Sequence, residues 1–319
     1  MVDLTNVIPA GAQERTRQLQ YFEQSTFRNT QITADYRNVG VVQSFSPTMN
    51  VQHQVTRVVG SRHKYADRKL MKEGTFQLSY QMLDTVVPRY GVLDPNGTGT
   101  IDKPLSFLET ALINGATRYR MFNDCFTETI TFAFEKDFNV TQNMYSAEVT
   151  KWLTESQLET RLGITGGSDI TDYFAPALSG QPWNHLDHET TITNTGSPMT
   201  INGDLFLFTA MNVEVNNNLR RMDPSGYDET KVVRAGNLVI TGSVTLYLGD
   251  GVVMEDHVVN FDTCTIDLKI KENTNNDVHM ILGGVNFNSF SDTIEAGSNT
   301  FSMIEYPFEA STIALTANP

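Results

Sequence analysis

Residues 242–250 read GSVTLYLGD, and the fold turns on how that stretch is read. Val244, Leu246 and Leu248 alternate with Ser243, Thr245 and Tyr247, the period-2 pattern of a strand with one face in a core and the other in water. The pattern recurs along the chain. GTFQLSYQMLD (74–84) sets Phe76, Leu78, Tyr80 and Met82 against Gln77, Ser79 and Gln81. In TITFAFEKD (129–137), Ile130, Phe132 and Phe134 alternate with Thr131, Ala133 and Glu135; in TIDLKIKEN (265–273), Ile266, Leu268 and Ile270 alternate with Asp267, Lys269 and Lys271. Strands of this kind belong to antiparallel sheets with one wetted face.

Helical patterns are few. Asp102 is expected to cap a helix over KPLSFLETALI (103–113), with Leu105, Leu108 and Leu112 on one stripe. Thr154 and Gln157 form a capping box for a helix that carries Leu158 and Leu162 and stops at Gly163. The polar stretch 13–24 is a third candidate. MLDTVVPRYGVL (82–93) is expected not to be helical, because it holds Pro88 and β-branched residues.

The chain has 319 residues, of which 39% are hydrophobic and 19% charged. It can therefore bury a sizeable core. No apolar run approaches the roughly 20 residues of a membrane-spanning helix. The start of the sequence shows no basic stretch followed by an apolar one, so a cytoplasmic protein is expected, at least until it leaves in an assembly. Two cysteines, Cys125 and Cys264, are too few for a disulfide scaffold or a thiolate cluster. The formal net charge is −14. Residues 1–160 hold 16 Lys and Arg against 17 Asp and Glu, whereas residues 161–319 hold 7 against 20. A protein this acidic does not grip nucleic acid through phosphates, although it can surround it.

The two halves resemble each other. MNVQHQV at Met49 answers MNVEVNN at Met211, Gly74 answers Gly242, and Asp84 answers Asp250. FNDC ending at Cys125 answers FDTC ending at Cys264, and YFAPA at Tyr173 answers YPFEA at Tyr306. Such order suggests a duplicated domain. On this alignment the first half carries an insertion at 85–115.

That insertion opens with DPNGTGTID (94–102), which approaches a calcium loop: Asp94, Asn96, Thr98 and Asp102 stand at ligand positions. Position 12 requires a bidentate Glu and holds Leu105, so tight turns and a helix cap explain the letters better, and no metal site is expected. HLDHE (185–189) reads as a solvated linker rather than a zinc site. No nucleophile stands in a recognisable elbow and no glycine loop cradles a phosphate, so no catalytic residue and no cofactor are expected.

RVVGSRHKYADRKLMK (57–72) is basic, carrying Arg57, Arg62, Lys64, Arg68, Lys69 and Lys72. The corresponding loop of the second half carries Asp223, Asp228 and Glu229. Two loops of contrasting charge, the second more acidic than the first, suit contact between copies, or are two unrelated solvated loops.

MNVEVNNNLRRMDPSGYDETKVVRAGNLVITGSVTLYLGD (211–250) resembles the major tail tube proteins of long-tailed, siphovirus-like bacterial and archaeal viruses. It shares a strand entering NNNL, a long loop, a G…ITGS entry to a second strand and a closing Asp; residues 49–84 carry the same pattern more weakly. The resemblance implies a mainly β protein, built from duplicated tail-tube-like antiparallel β-sandwich or barrel domains with short peripheral helices. On that reading 1–39 is an N-terminal arm, 40–180 and 200–319 are tube-like domains, and 181–199 links them. It also implies a structural virion protein, not an enzyme, that stacks in rings to form a hollow tube for viral DNA. Trimers with six-fold pseudo-symmetry are expected, with hexamers the other possibility. Its partners would be further copies of itself, the tail terminator, tape measure and baseplate proteins, and DNA that passes without specific binding, with no membrane. Assembly would take place in the host cytoplasm. The basic and acidic loop residues would then stack rings, and Gln77, Ser79, Gln81, Asn212, Glu214 and Thr245 would face the channel. The alternatives are another β-rich virion part, such as a decoration or baseplate protein, and a soluble β-rich ligand-binding module.

Overall fold

Strands form where the alternation is read, and hydrogen bonding joins them in an order that repeats. The structure, a computed structural model, describes residues 17–29, 35–57, 64–92, 104–135, 137–164, 169–175, 199–202, 204–206, 208–222, 232–271, 278–292 and 303–317.

In chain order the first half holds β1 (Arg17–Glu23), β2 (Arg37–Asn38), β3 (Val41–Arg57), β4 (Lys64–Gln81), α1 (Val86–Gly91), β5 (Leu105–Ile113), β6 (Ala116–Phe134), β7 (Phe138–Val149) and α2 (Glu155–Leu162). After a 3-10 turn (Ile170–Tyr173) come β8 (Met199–Ile201), β9 (Asp204–Phe206), β10 (Phe208–Asn216), β11 (Arg220–Met222), β12 (Val232–Arg234) and β13 (Val239–Tyr247). The chain continues through α3 (Leu248–Asn260), β14 (Cys264–Lys271), β15 (Val278–Phe287), β16 (Ser291–Asp292), β17 (Met303–Ala310) and β18 (Thr312–Ala317).

All of these pairings are antiparallel. In the first half the order is β3, β4, β7, β6, β5, β1, β2. In the second half it is β10, β13, β17, β15, β14, β8, β9. The short helices α1 and α3 occupy the same place, after β4 and after β13. Gly74 faces Ser146 of β7 as Gly242 faces Phe308 of β17. The halves join where β6 pairs with β10, from Phe134 opposite Met211 to Thr129 opposite Asn216. One antiparallel sheet thus runs β3, β4, β7, β6, β10, β13, β17, with β16 on the far side of β17.

β6 crosses between two layers. Its first part pairs with β5 and its last part with β7 and β10. The corner falls at Asp124, a left-handed residue (φ 52°) of a type that tolerates that conformation. Asp124 Oδ1 accepts from the Arg28 backbone N–H (2.6 Å) and from the Gln24 side-chain amide (3.4 Å), so the segment after β1 is tied to the corner. Burial pushes the Asp124 carboxyl above its usual range. Between the layers lies the main core. It contains Leu105 and Phe107 of β5, Phe76 and Leu78 of β4, Phe132 and Phe134 of β6, and Val213, Val244 and Tyr306 of the second half. The outer layer buries its other face (Phe22, Leu108, Met121) under Leu158 and Leu162 of α2.

The alternating segments form strands, except that β4 stops at Gln81 before Met82, β6 stops at Phe134 before Glu135, and β13 ends at Tyr247 with Leu248 opening α3. The capping box of Thr154 with Gln157 and the left-handed Gly163 stop are both present. Three helix expectations are corrected. The helix expected over 103–113 is not formed, because 105–113 is strand β5, buried on both faces at Leu105, Ser106, Phe107 and Leu108. A strand with the main core over one face and α2 over the other has apolar residues at both parities, which mimics a helical stripe. Residues 17–23 of the stretch 13–24 are strand β1; its polar Gln20 is buried. Residues 86–91 are helical despite Pro88, which falls in the first turn where no N–H is needed.

Of the five matches between halves, the cysteine and tyrosine ones do not coincide in the fold. Cys125 lies within β6 and Cys264 opens β14, while Tyr173 ends the 3-10 turn and Tyr306 lies in β17. Alternating strands share local letters wherever they pair. Within 85–115, α1 and β5 hold the places that α3 and β14 hold in the second half. Residues 94–102 and 185–189 lie outside the described residues.

Candidate functional site

The joined sheet has two unlike faces because every strand in it alternates. Phe76, Leu78 and Tyr80 (β4), Val140 and Met144 (β7), Ile130 and Phe132 (β6), Val213 and Val215 (β10), Ile240 and Val244 (β13), and Tyr306 and Phe308 (β17) are all buried on one side. The opposite parity is polar. Pairing sets Gln77 opposite Asn143, Asn143 opposite Thr129, Thr131 opposite Glu214, Glu214 opposite Thr241, and Thr241 opposite Glu309. A second row runs from Ala133 through Asn212 to Ser243. All six residues expected to face a channel, Gln77, Ser79, Gln81, Asn212, Glu214 and Thr245, lie on this one polar face.

Side chains bond along it. The Gln77 amide donates to Asn143 Oδ1 (3.2 Å), the Asn143 amide donates to Thr129 Oγ1 (2.8 Å), and Thr141 donates to Ser79 (3.4 Å). Among the described residues of β4, β7, β6, β10, β13 and β17 between Thr75 and Glu309, this face presents the carboxylates Glu214, Glu305 and Glu309 and no Lys or Arg. A smooth polar surface of that sign repels phosphates instead of holding them.

Among the described residues, β3 is flanked by β4 alone and β16 by β17 alone. Such open edges pair with another chain unless they are blocked. Met49, on the apolar parity of β3, is 46% exposed.

Beyond its pairing with β7, the β3–β4 hairpin continues from Asn50 opposite Glu73 to Arg57 opposite Lys64. Arg57, Lys64, Arg68, Lys69 and Lys72 lie on that projection; Arg62, Asp223, Asp228 and Glu229 fall outside the described residues. In the second half the equivalent connection forms β11 and β12. The structure joins the base of the two connections through Arg221, whose guanidinium meets Glu73 Oε2 at 2.6 Å and lies 4.7 Å over the Tyr145 ring.

Asn217 is the residue that sequence reasoning missed. It sits just after β10, buried, and its amide donates to Gly91 O at the end of α1 (2.7 Å) and to Thr127 O of β6 (3.0 Å). It pins the second half to the first, and its place in NNNL was the available clue. Elsewhere, Glu155, Glu159 and Asp169 bring carboxylate oxygens within 4.8 Å of one another at the surface. Asp169 Oδ1 is already engaged by the Thr171 N–H and hydroxyl, and the hydrogen bond with Asp169 raises the Glu155 carboxyl. Both cysteines are free and buried, and burial pushes their thiols up, away from reactivity.

The geometry is that of a wall, a polar sheet face with two open ends and a projecting hairpin. A family model described as phage tail tube protein matches residues 91–310. No curated protein matches the chain.

Proposed function

The chain belongs to the phage tail tube protein family, and from that premise we propose that it is the major tail tube subunit of a long-tailed, siphovirus-like bacterial or archaeal virus. It acts without catalysis. Two tube-like domains, 40–180 together with β1 and β2, and 200–319, are joined through 181–199. Three copies form a ring with six-fold pseudo-symmetry, and rings stack into a hollow tube through which viral DNA enters the host. The subunit assembles in the host cytoplasm, where the tape measure, tail terminator and baseplate proteins bound the tube.

The single observation that carries this reading is the repeated pairing order ending in two open edges. Inside the chain, β10 of the second half pairs with β6 of the first. β3 holds the place of β10, and Ser291–Asp292 holds the place of Thr129–Ile130, because Ser291 faces Glu305 and Asp292 faces Ile304 on β17 as Thr129 and Ile130 face Asn143 and Gln142 on β7. The β3 edge of one copy therefore pairs with the β16 edge of the next. Closure removes both edges and turns the polar faces into one barrel lining. A lining whose described sheet positions present no Lys or Arg lets DNA slide. The β3–β4 projection, with its basic residues, reaches the neighbouring ring.

Electron microscopy of the purified protein tests this. Rings or hollow tubes are expected, and dispersed monomers at high concentration would overturn the reading. Reversing charge at Arg68 and Lys69 is expected to shorten the tubes while leaving rings intact.

A further inference from the structure

The end of α3 exposes two large apolar side chains. α3 carries Val259, 68% exposed, and is followed by Phe261, 89% exposed and left-handed at φ 55°. Left-handed backbone disfavours any residue with a Cβ, most of all a bulky one. This chain therefore holds an aromatic in a strained conformation with its ring in water. Met254 and Val258 face the core, so the helix is anchored on one side and presents Val259 and Phe261 on the other.

The first half shows what lies at this position. α1 is the counterpart of α3, and its last residue, Gly91, packs against Ile130 and Gln142 and accepts from Asn217. Asn217 belongs to the segment leaving β10, the strand that docks from the other half. In that docked strand Val213 is 0% exposed, whereas its positional counterpart in β3, Met49 opposite Gly74 as Val213 is opposite Gly242, is 46% exposed.

We propose that Val259 and Phe261 are the apolar anchor of the seam between copies, covered by β3 of the next copy. This rests on the ring reading. The end of α1 receives Asn217, of the segment leaving β10, within a chain, and the end of α3 receives the equivalent stretch of β3, four residues past Met49, between chains. α3 is longer than α1, and its extra turns carry the apolar surface that an intermolecular seam needs and an intramolecular one does not.

The test uses the full chain with benzoylphenylalanine in place of Phe261, irradiated after assembly, with cross-linked peptides mapped by mass spectrometry. Links from position 261 to β3 of another copy are expected. A second variant, Phe261→Asn, suits the left-handed conformation and removes the ring. It is expected to leave the monomer's thermal transition unchanged or higher, while raising the concentration for half-assembly by about tenfold or more. A merely structural Phe261 would lower the monomer transition instead. If the wild type forms tubes while cross-links map elsewhere and Phe261→Asn assembles normally, this inference falls and the ring reading stands. If the wild type forms no rings, both fall.

Discussion

Replacing Asn217 by alanine removes the side chain that pins the two halves together. Two buried amide hydrogen bonds are lost, to Gly91 O at 2.7 Å and to Thr127 O at 3.0 Å. Each is worth about 1 kcal/mol net, and each acceptor left without a donor adds a desolvation cost of about 1 kcal/mol where water cannot enter. The expected loss is about 2–4 kcal/mol, read as a lower urea midpoint in equilibrium unfolding. Asn217→Asp separates hydrogen bonding from packing. It keeps the shape but turns an oxygen toward two carbonyl oxygens and buries a charge, so it is expected to cost more than alanine. Asn143→Ala, on the solvated polar face, is the control and should cost less than about 1 kcal/mol. The reasoning is refuted if Asn217→Ala loses under about 0.5 kcal/mol, or if Asp is tolerated better than Ala.

Other substitutions check other parts of the account. Arg221→Glu should cost about 0.5–1 kcal/mol, a value kept small because Arg221 is 38% exposed, and adding Glu73→Arg should recover part of it; a double-mutant cycle with no coupling would contradict the pairing. Burial raises the Glu148 carboxyl, but hydrogen bonds from Arg161 and Asn123 outweigh it and hold the group below its usual value. A depressed carboxyl contributes stability above its unfolded pKa of about 4.3 and loses it as pH falls through the lower folded value. Thermal unfolding of Glu148→Gln should therefore lie below wild type at neutral pH and converge with it in acid, and parallel pH profiles would count against this. Glu214→Lys with Glu309→Lys should make tubes retain duplex DNA, with retention falling steeply as salt rises. Equal, negligible retention by both proteins would show that these positions do not face the DNA path.

Half-buried strands were legible in the sequence because one polar face forces strict alternation. Phe76, Leu78 and Tyr80, or Ile130, Phe132 and Phe134, could hardly be read otherwise, and the same parity placed Gln77, Asn212 and Glu214 together on the wetted side. β5 was not legible. Its Leu105, Leu108 and Leu112 fit a helical stripe as well as a strand, and only the pairing with β1 and β6 and the cover on both faces decide between them. β1 was obscured by Gln20, since a polar residue buried in a sheet reads as solvent-facing until its partners are known. The helix over 154–163 was legible because its capping box and glycine stop are local chemistry. Asn217 shows the remaining limit. Its partners, Gly91 and Thr127, lie some ninety or more residues away in sequence, and NNNL marks the place without saying which of its asparagines is the buried pin.

Pairing between β3 and β16 of adjacent copies is the claim on which the rest depends. Val215 faces Ile130 within the chain, and the corresponding positions between copies are Val51 and Asp292. A Val51→Cys, Asp292→Cys variant, oxidised after assembly and run under denaturing, non-reducing conditions, measures this directly, since the two native cysteines are buried. The account predicts a ladder of covalent dimers and trimers that ends at three. Tubes that yield only monomers, or a ladder that continues to six, would contradict it.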